Sequence, residues 1–551
     1  MASLLAYGGA VTAGHPLAAQ AGLHVLRSGG NAVDAAVATA AALCVVMPDM
    51  NGPLGYGFAL IAMAGEPAPV ALDMHGVAPR GLDREQFAAA LRSPVSGTRA
   101  RTGPIVRGPR SCLVPGNLRG WEAMVQRHGR MSFADVLRPA IDYAERGRPV
   151  DDEGARHIQR HVAELGGFRS WADVFLPGGK APAPGQRLVM TQLANTLRLV
   201  ADQGTAVVYT GELAHEIARF FADEGGWITA DDLAAYDVQW KTPIAMQYRD
   251  TVVYGMPPSA SSITWMEALA ILEGYDLRAM GHNGVQYLHT VIEAMKRAYV
   301  DTFGAVGDPD FVEVPVERLL GSTYMTSVRK AIGNAAWQPT PAGVASAVDG
   351  KPVGSTTHLN VIDIDGNVVA MTNTLGAYFG GGMIAGNTGM LINDGMDWFD
   401  ADCSPWTGKP SPTAFAPRKR PRVTLAPGLL YKRGKPWMAI GGAGAEATLS
   451  GILQPILNVT EFDMDLQQAN DAPRFRWGEL MYYTLGTKLR LEAGIASETR
   501  RELAALGHDV VPPEAEPKPV VGATNVILYD AASGLMTASA NSRGRDAAAV
   551  F

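Results

Sequence analysis

A chain of 551 residues with 47 Lys and Arg against 54 Asp and Glu carries a formal charge of −7; 47% of its residues are hydrophobic and 18% charged. That balance belongs to a compact globular protein and excludes disordered, collagen-like and strongly basic nucleic-acid-binding chains. The length allows three or four domains, or one large layered α/β structure. Its 62 glycines exceed the background of about 7% and signal tight turns or close backbone approaches. Cys44, Cys112 and Cys403 are far apart and form no C-x-x-C. Neither a disulfide framework nor a cysteine metal site is expected, and a reducing, cytoplasmic compartment fits. Residues 1–14 lack a basic stretch leading into an apolar one. The apolar run 35–47 is shorter than the roughly 18 residues of a spanning helix, so it reads as a buried helix and not as a membrane anchor.

In chain order, Pro16 opens a helix with Leu17, Ala21 and Val25 on one face and Gly29-Gly30 as its stop; Asn31 then caps a small-residue helix through Ala42. His157 and His161 have the spacing of helical metal ligands, but no H-E-x-x-H surrounds them. Their neighbours Arg156, Gln159 and Arg160 predict a solvated face and no metal. A strand is expected at 251–254, and an amphipathic helix through Leu288, Ile292, Met295 and Tyr299. Residues 334–355, rich in Ala, Pro, Gly and Ser, read as a linker. Strands follow at 359–362 and 368–371, around an Asp365-Gly366 turn. A two-residue loop sets Thr356 opposite Leu375, and a three-residue loop sets it opposite Thr374 or Gly376. Thr356 and Thr374 are near neighbours either way. Strands at 438–440 and 526–529 and a helix at 447–457 complete a mixed α/β or α+β order, with no repeat of solenoid or propeller length.

A threonine hydroxyl attacks an amide only if a base takes its proton. The α-amine of an N-terminal threonine, with a reference pKa of about 7.7 to 8.0, is such a base. A linker ending at Ser355 with Thr356 opening a strand fits a chain that cuts itself between the two; an ordinary loop entering a strand is the plainer alternative. The turn Gly441-Gly442-Ala443-Gly444-Ala445-Glu446 joins a strand to a helix, so its free N–H groups can face a developing negative charge. Gly442 to Ala447 also satisfies G-x-G-x-x-A, with Glu461 beyond it, which keeps a dinucleotide site open. Ser259, Ser261 and Ser262 lack a nucleophile elbow. His75 and His358 read as pocket or structural hydrogen-bonding groups.

Gly354-Ser355-Thr356-Thr357-His358, followed by Asp365-Gly366-Asn367 and Thr372-Asn373-Thr374-Leu375, resembles the nucleophile segment of the γ-glutamyltranspeptidases, which are N-terminal nucleophile hydrolases. Leu26-Arg27-Ser28-Gly29-Gly30-Asn31-Ala32-Val33-Asp34-Ala35-Ala36, Gly226-Trp227-Ile228-Thr229, Pro257-Pro258-Ser259, Gly307-Asp308-Pro309-Asp310-Phe311 and Asn470-Asp471-Ala472-Pro473-Arg474-Phe475 follow in family order. The resemblance implies a four-layer αββα sandwich made as a precursor. It implies cleavage before Thr356 into a large subunit, 1–355, and a small one, 356–551, which stay associated. Thr356 is then nucleophile and, through its freed amine, base; Thr374 orients it; Gly444 and Ala445 form the oxyanion hole. No cofactor, nucleic acid or membrane enters, and the motifs leave open whether the pair forms a homo-oligomer.

The resemblance breaks where the family holds its glutamyl group. His75 stands in place of the Arg that binds the α-carboxylate, and Trp398 in place of the acid that binds the α-amine; Gly376 replaces an Asn, and Val423-Thr424 a Ser-Ser pair. A His cannot reproduce a bidentate guanidinium contact, which leaves Arg80 or Asp397 to compensate. His75, Gly376, Asp397, Trp398 and Thr424 are therefore the expected substrate-contacting positions. The expectation is a divergent cytosolic amidohydrolase or acyltransferase acting on a small amide, for example oxamate-like or acylase-type. A true γ-glutamyltranspeptidase (glutathione hydrolase) with a rebuilt pocket, and an uncleaved non-catalytic binding protein, are the alternatives.

Overall fold

A computed structural model describes residues 2–92, 105–342, 355–481, 486–518 and 520–551; positions 343–354 of the expected linker lie outside the described residues. The first two helices form as their boundary residues dictate. α1 (Pro16–Arg27) starts at proline and is followed by Gly29 at φ +96°, a conformation that glycine adopts without steric cost. α2 (Ala32–Val46) begins with a reciprocal capping box between Asn31 and Asp34. It continues beyond Ala42 because all its residues are buried; an α-helix that is apolar all round belongs inside a core.

Two antiparallel seven-stranded sheets stack face to face. One sheet contains β1 (Tyr56–Ala62) next to the central hairpin, and α1 and α2 cover its outer face. Along β1, Tyr56, Phe58 and Leu60 point between the sheets, while Ala59 and Ile61 pack toward α1 and α2. This is the two-residue period of a strand buried on both faces. The other sheet is covered by the 262–272 helix and by a helix following residue 446, and α3 (Val285–Ala305), whose predicted face of Leu288, Ile292, Met295 and Tyr299 is buried, packs against the 262–272 helix. The result is the expected αββα sandwich. No helix among the described residues is long and apolar enough to cross a membrane.

The hairpin consists of β2 (Ser355–Asp363) and β3 (Val368–Gly376), with Ile362 opposite Val368 and Thr357 opposite Asn373. The three-residue loop, Ile364-Asp365-Gly366, is the one formed: Asp363 N donates to Asn367 O at 3.2 Å, and Gly366 sits at φ +83°. Asp363 also accepts the amide of Ala32 at 2.8 Å, which ties the N-terminus of α2 to the turn. The register shifts between Ser355 and Thr357, so Thr356 sits at the irregularity, across from Thr374. β2 pairs on its other edge with Gly9–Ala13. The segments before and after Ser355 thus share one sheet.

In the second sheet, β4 (Lys435–Ala443) runs toward the glycine-rich turn, from which α4 (Ala447–Phe462) departs, and β5 (Ala523–Asp530) lies beside β4. The His358 ring packs against Gly441, where any side chain would meet it. That contact brings the start of β2 over the end of β4.

Candidate active site

Thr356 is half-buried, and its Oγ1 lies 2.7 Å from the carbonyl oxygen of Ser355 and 3.1 Å from Thr374 Oγ1. The Thr374 hydroxyl donates to that same carbonyl. Gly376 N donates to Thr374 Oγ1 at 2.8 Å, and Ser355 Oγ donates to Ala377 O at 2.7 Å. The Ser355–Thr356 peptide is thus held between two hydroxyls, with every partner on the hairpin or the turn after it.

Thr356 and Gly444 line one cavity of about 790 Å³, with Met47, Met50, Tyr378, Arg543 and Arg545 among its other walls. Gly444 has φ +130° and Ala445 φ +51°. Among the described residues, neither amide donates to a protein acceptor. The turn is braced from behind: Arg422 donates to Glu446 Oε1 at 2.7 Å in a buried ion pair, and Tyr299 Oη donates to Glu446 O at 2.6 Å. Burial pushes the Glu446 carboxyl up against the opposing effect of Arg422. Neither Arg422 nor Tyr299 was marked by a motif; both reach Glu446 from distant parts of the chain.

His358 is buried, with Nδ1 2.8 Å from Thr372 Oγ1 and Nε2 2.9 Å from Asn360 Oδ1. Burial pushes it down to about 4, which makes it a neutral, structural hydrogen-bonding group two residues from Thr356.

The expected substrate-contacting residues lie in several places. Gly376 adjoins Thr374, has φ +99°, and the Asp394 carboxylate fills the space a side chain there would need. His75 is fully buried, 4.8 Å from the Tyr56 ring, with Nε2 donating to Pro421 O at 3.0 Å. Burial pushes it down to about 3. Asp397 and Trp398 lie in the single turn Gly395–Trp398, and the Arg422 guanidinium sits 5.9 Å from the Trp398 ring. Thr424 is buried beside the 259–261 segment, which Val423 N reaches through Ser259 O at 3.3 Å. None of these five, Gly376 included, lines the cavity that holds Thr356.

One expectation from the sequence is corrected, and one rival reading falls. His157 and His161 are not on a solvated face: both are buried, and His157 Nδ1 is 2.6 Å from Asp49 Oδ2, a carboxylate whose two oxygens also accept Nη2 of Arg545, while Arg545 Nη1 donates to Asp151. The G-x-G-x-x-A turn serves no dinucleotide fold, because its sheet is antiparallel and Glu461 is held by Tyr248 at 2.5 Å and Arg249 at 3.0 Å. The histidine and carboxylate cluster of His289, Glu293 and His508 is filled by the Lys296 ammonium, 2.9 Å from Glu293 and 3.3 Å from His508.

The γ-glutamyltranspeptidase family profile matches residues 18–551. The chain belongs to the γ-glutamyltranspeptidase family. Within it, the chain is 34% identical over 542 residues to the glutathione hydrolase-like YwrD proenzyme of Bacillus subtilis, covering 98% of this chain and 97% of the relative. It is 36% identical over 534 residues to the acylase ACY 1 proenzyme of a Pseudomonas strain, covering 97% and 91%. The structure superposes on the crystal structure of cephalosporin acylase from Bacillus halodurans with a TM-score of 0.88 at 31% identity, over 100% of this chain and 97% of that one. As a γ-glutamyltranspeptidase-family member, the chain is an enzyme of the amidohydrolase and acyltransferase class, whose relatives carry proenzyme names.

Proposed function

We propose that this chain is a threonine amidohydrolase which cuts itself before Thr356 and then cleaves a small amide that is not a standard γ-glutamyl compound. The observation that carries the reading is the convergence of the Thr356 and Thr374 hydroxyls on the Ser355 carbonyl. In the first reaction, Thr356 Oγ adds to the Ser355 carbonyl carbon while Thr374 polarises the oxygen. The C–N bond breaks, the Thr356 nitrogen gains a proton, and the resulting ester is opened by water. The products are residues 1–355 and 356–551, held together by the shared sheets.

In the second reaction the freed amine takes the Oγ proton, Oγ attacks the amide carbonyl, and the Gly444 and Ala445 N–H groups receive the oxyanion. The departing amine leaves with the proton, and water or a second amine takes the acyl group from Thr356. Departure from γ-glutamyl substrates is supported by the burial of His75, the aromatic Trp398 and the side-chain-free Gly376. Relatives named glutathione hydrolases keep the γ-glutamyl reading as the alternative.

On a denaturing gel the wild-type chain is expected to give fragments of 355 residues and the remaining 196 of 551, and Thr356→Ala a single uncut band without amidase activity. An active, uncut Thr356→Ala protein overturns the proposal. Turnover of a γ-glutamyl anilide matching that of the best simple amide overturns its substrate half.

A further inference from the structure

The sequence singled out Gly376 as a departure from the family, and the structure shows what fills the space. Asp394 Oδ1 lies where a side chain at Gly376 would be and accepts Ala377 N at 2.7 Å, while Asp394 N donates to Leu375 O at 2.9 Å. One residue therefore clamps the backbone from Leu375 to Ala377 on both sides. That short stretch contains two of the groups that fix the scissile peptide. Gly376 N holds Thr374 Oγ1, and Ala377 O holds Ser355 Oγ.

We propose that Asp394 is a positioning residue for the reaction at the Ser355–Thr356 bond, acting through the 375–377 backbone on Thr374 and Ser355. The inference rests on the self-cleavage proposed above.

Asp394 is fully enclosed, and the groups around it are Arg107, Asp397, Tyr56 and Cys112. Burial pushes its carboxyl up to about 7, with Arg107 opposing and Asp397 adding to the rise. A carboxylate makes a hydrogen bond roughly twice as strong as a neutral acceptor does. The clamp therefore tightens as Asp394 ionises, and the geometry at Ser355 acquires a dependence on pH near neutrality.

The test follows full-length chain made by cell-free synthesis and exchanged into buffers from about pH 5.5 to about pH 8.5, the range that spans the carboxyl's titration. Appearance of the small fragment on a denaturing gel gives the cutting rate. Wild type is expected to slow about tenfold as the pH falls through about 7. Asp394→Asn keeps an uncharged acceptor in the same place; it is expected to cut about tenfold more slowly at the alkaline end and to lose that inflection. Asp397→Asn removes the neighbouring like charge, so its inflection should move to lower pH, an effect that a purely structural role would not produce. An Asp394→Asn chain that cuts at the wild-type rate with the inflection intact overturns the proposal. So does an unmoved inflection in Asp397→Asn, which reads the same point if Asp394→Asn fails to fold. A wild-type chain that stays whole at every pH overturns the self-cleavage reading itself, and is told apart by the absence of any small fragment.

Discussion

Thr374 donates its hydroxyl proton to the carbonyl oxygen of Ser355 while receiving the amide of Gly376 at 2.8 Å, so one side chain couples the turn after β3 to the peptide before Thr356. Thr374→Ala removes both bonds. It should slow self-cleavage by about 10² to 10³, the usual cost of one donor aimed at a developing oxyanion. Thr374→Ser keeps the hydroxyl and should stay within about tenfold of wild type. A time course of fragment appearance for the two variants decides this.

Gly444 separates the two reactions. Its φ of +130° suits glycine alone, and a Cβ would lie 3.2 Å from Gly522 Cα. Gly444→Ala should turn its amide away from the cavity and lower amide turnover by about 10² or more. Maturation should survive, because the Ser355 carbonyl is held by Thr374. Active-site titration of the matured variant with kcat measured on the same sample checks this; normal turnover would remove Gly444 from the oxyanion hole.

His508 contributes to stability with a definite sign. Nε2 lies 2.9 Å from His289 Nδ1, and His289 Nε2 donates to Gly333 O at 2.8 Å, so these rings link segments on the two sides of the proposed cleavage site. Burial, with Lys296 and His289 beside it, pushes His508 down to about 3. The unfolded chain, where its pKa is about 6.5, binds the extra proton between these values. Stability from His508 is therefore complete above about pH 6.5 and is lost as the pH falls toward about 3. Buried carboxyls pushed up, such as Asp546 at about 6, titrate in the opposite sense, so the informative quantity is a difference. The gap in Tm between wild type and His508→Gln should narrow as the pH is lowered from about 6.5 to about 4.

What could be read from the sequence was what neighbours in sequence decide. Pro16 and the Asn31 cap set helix starts within one turn, and the Asp-Gly turn set the hairpin register to within one residue, enough to pair Thr356 with Thr374. The burial of His157 could not be read, because Asp49 lies 108 positions away and Arg545 further still. The same is true of Arg422 behind the Gly441–Glu446 turn and of Asp394 beside Gly376. An i, i+4 pattern with arginines beside its members looks solvated when the acid that holds it lies in another element. The departures at His75 and Trp398 were legible as residue types; that His75 is stacked away from the cavity, and not turned into it, depended on tertiary packing against Tyr56.

The interleaving of the sheets sets a schedule for biosynthesis. Gly9–Ala13, made first, pairs with Ser355–Asp363 on one side and with Ala547–Val550 on the other. The sheet that holds Ser355 in place is thus complete only when residues 547–550 have left the ribosome. On the self-cleavage proposed above, a chain still being translated would have the Ser355–Thr356 peptide in an unfinished sheet, and this topology would withhold cutting until residues 547–550 pair with Gly9–Ala13.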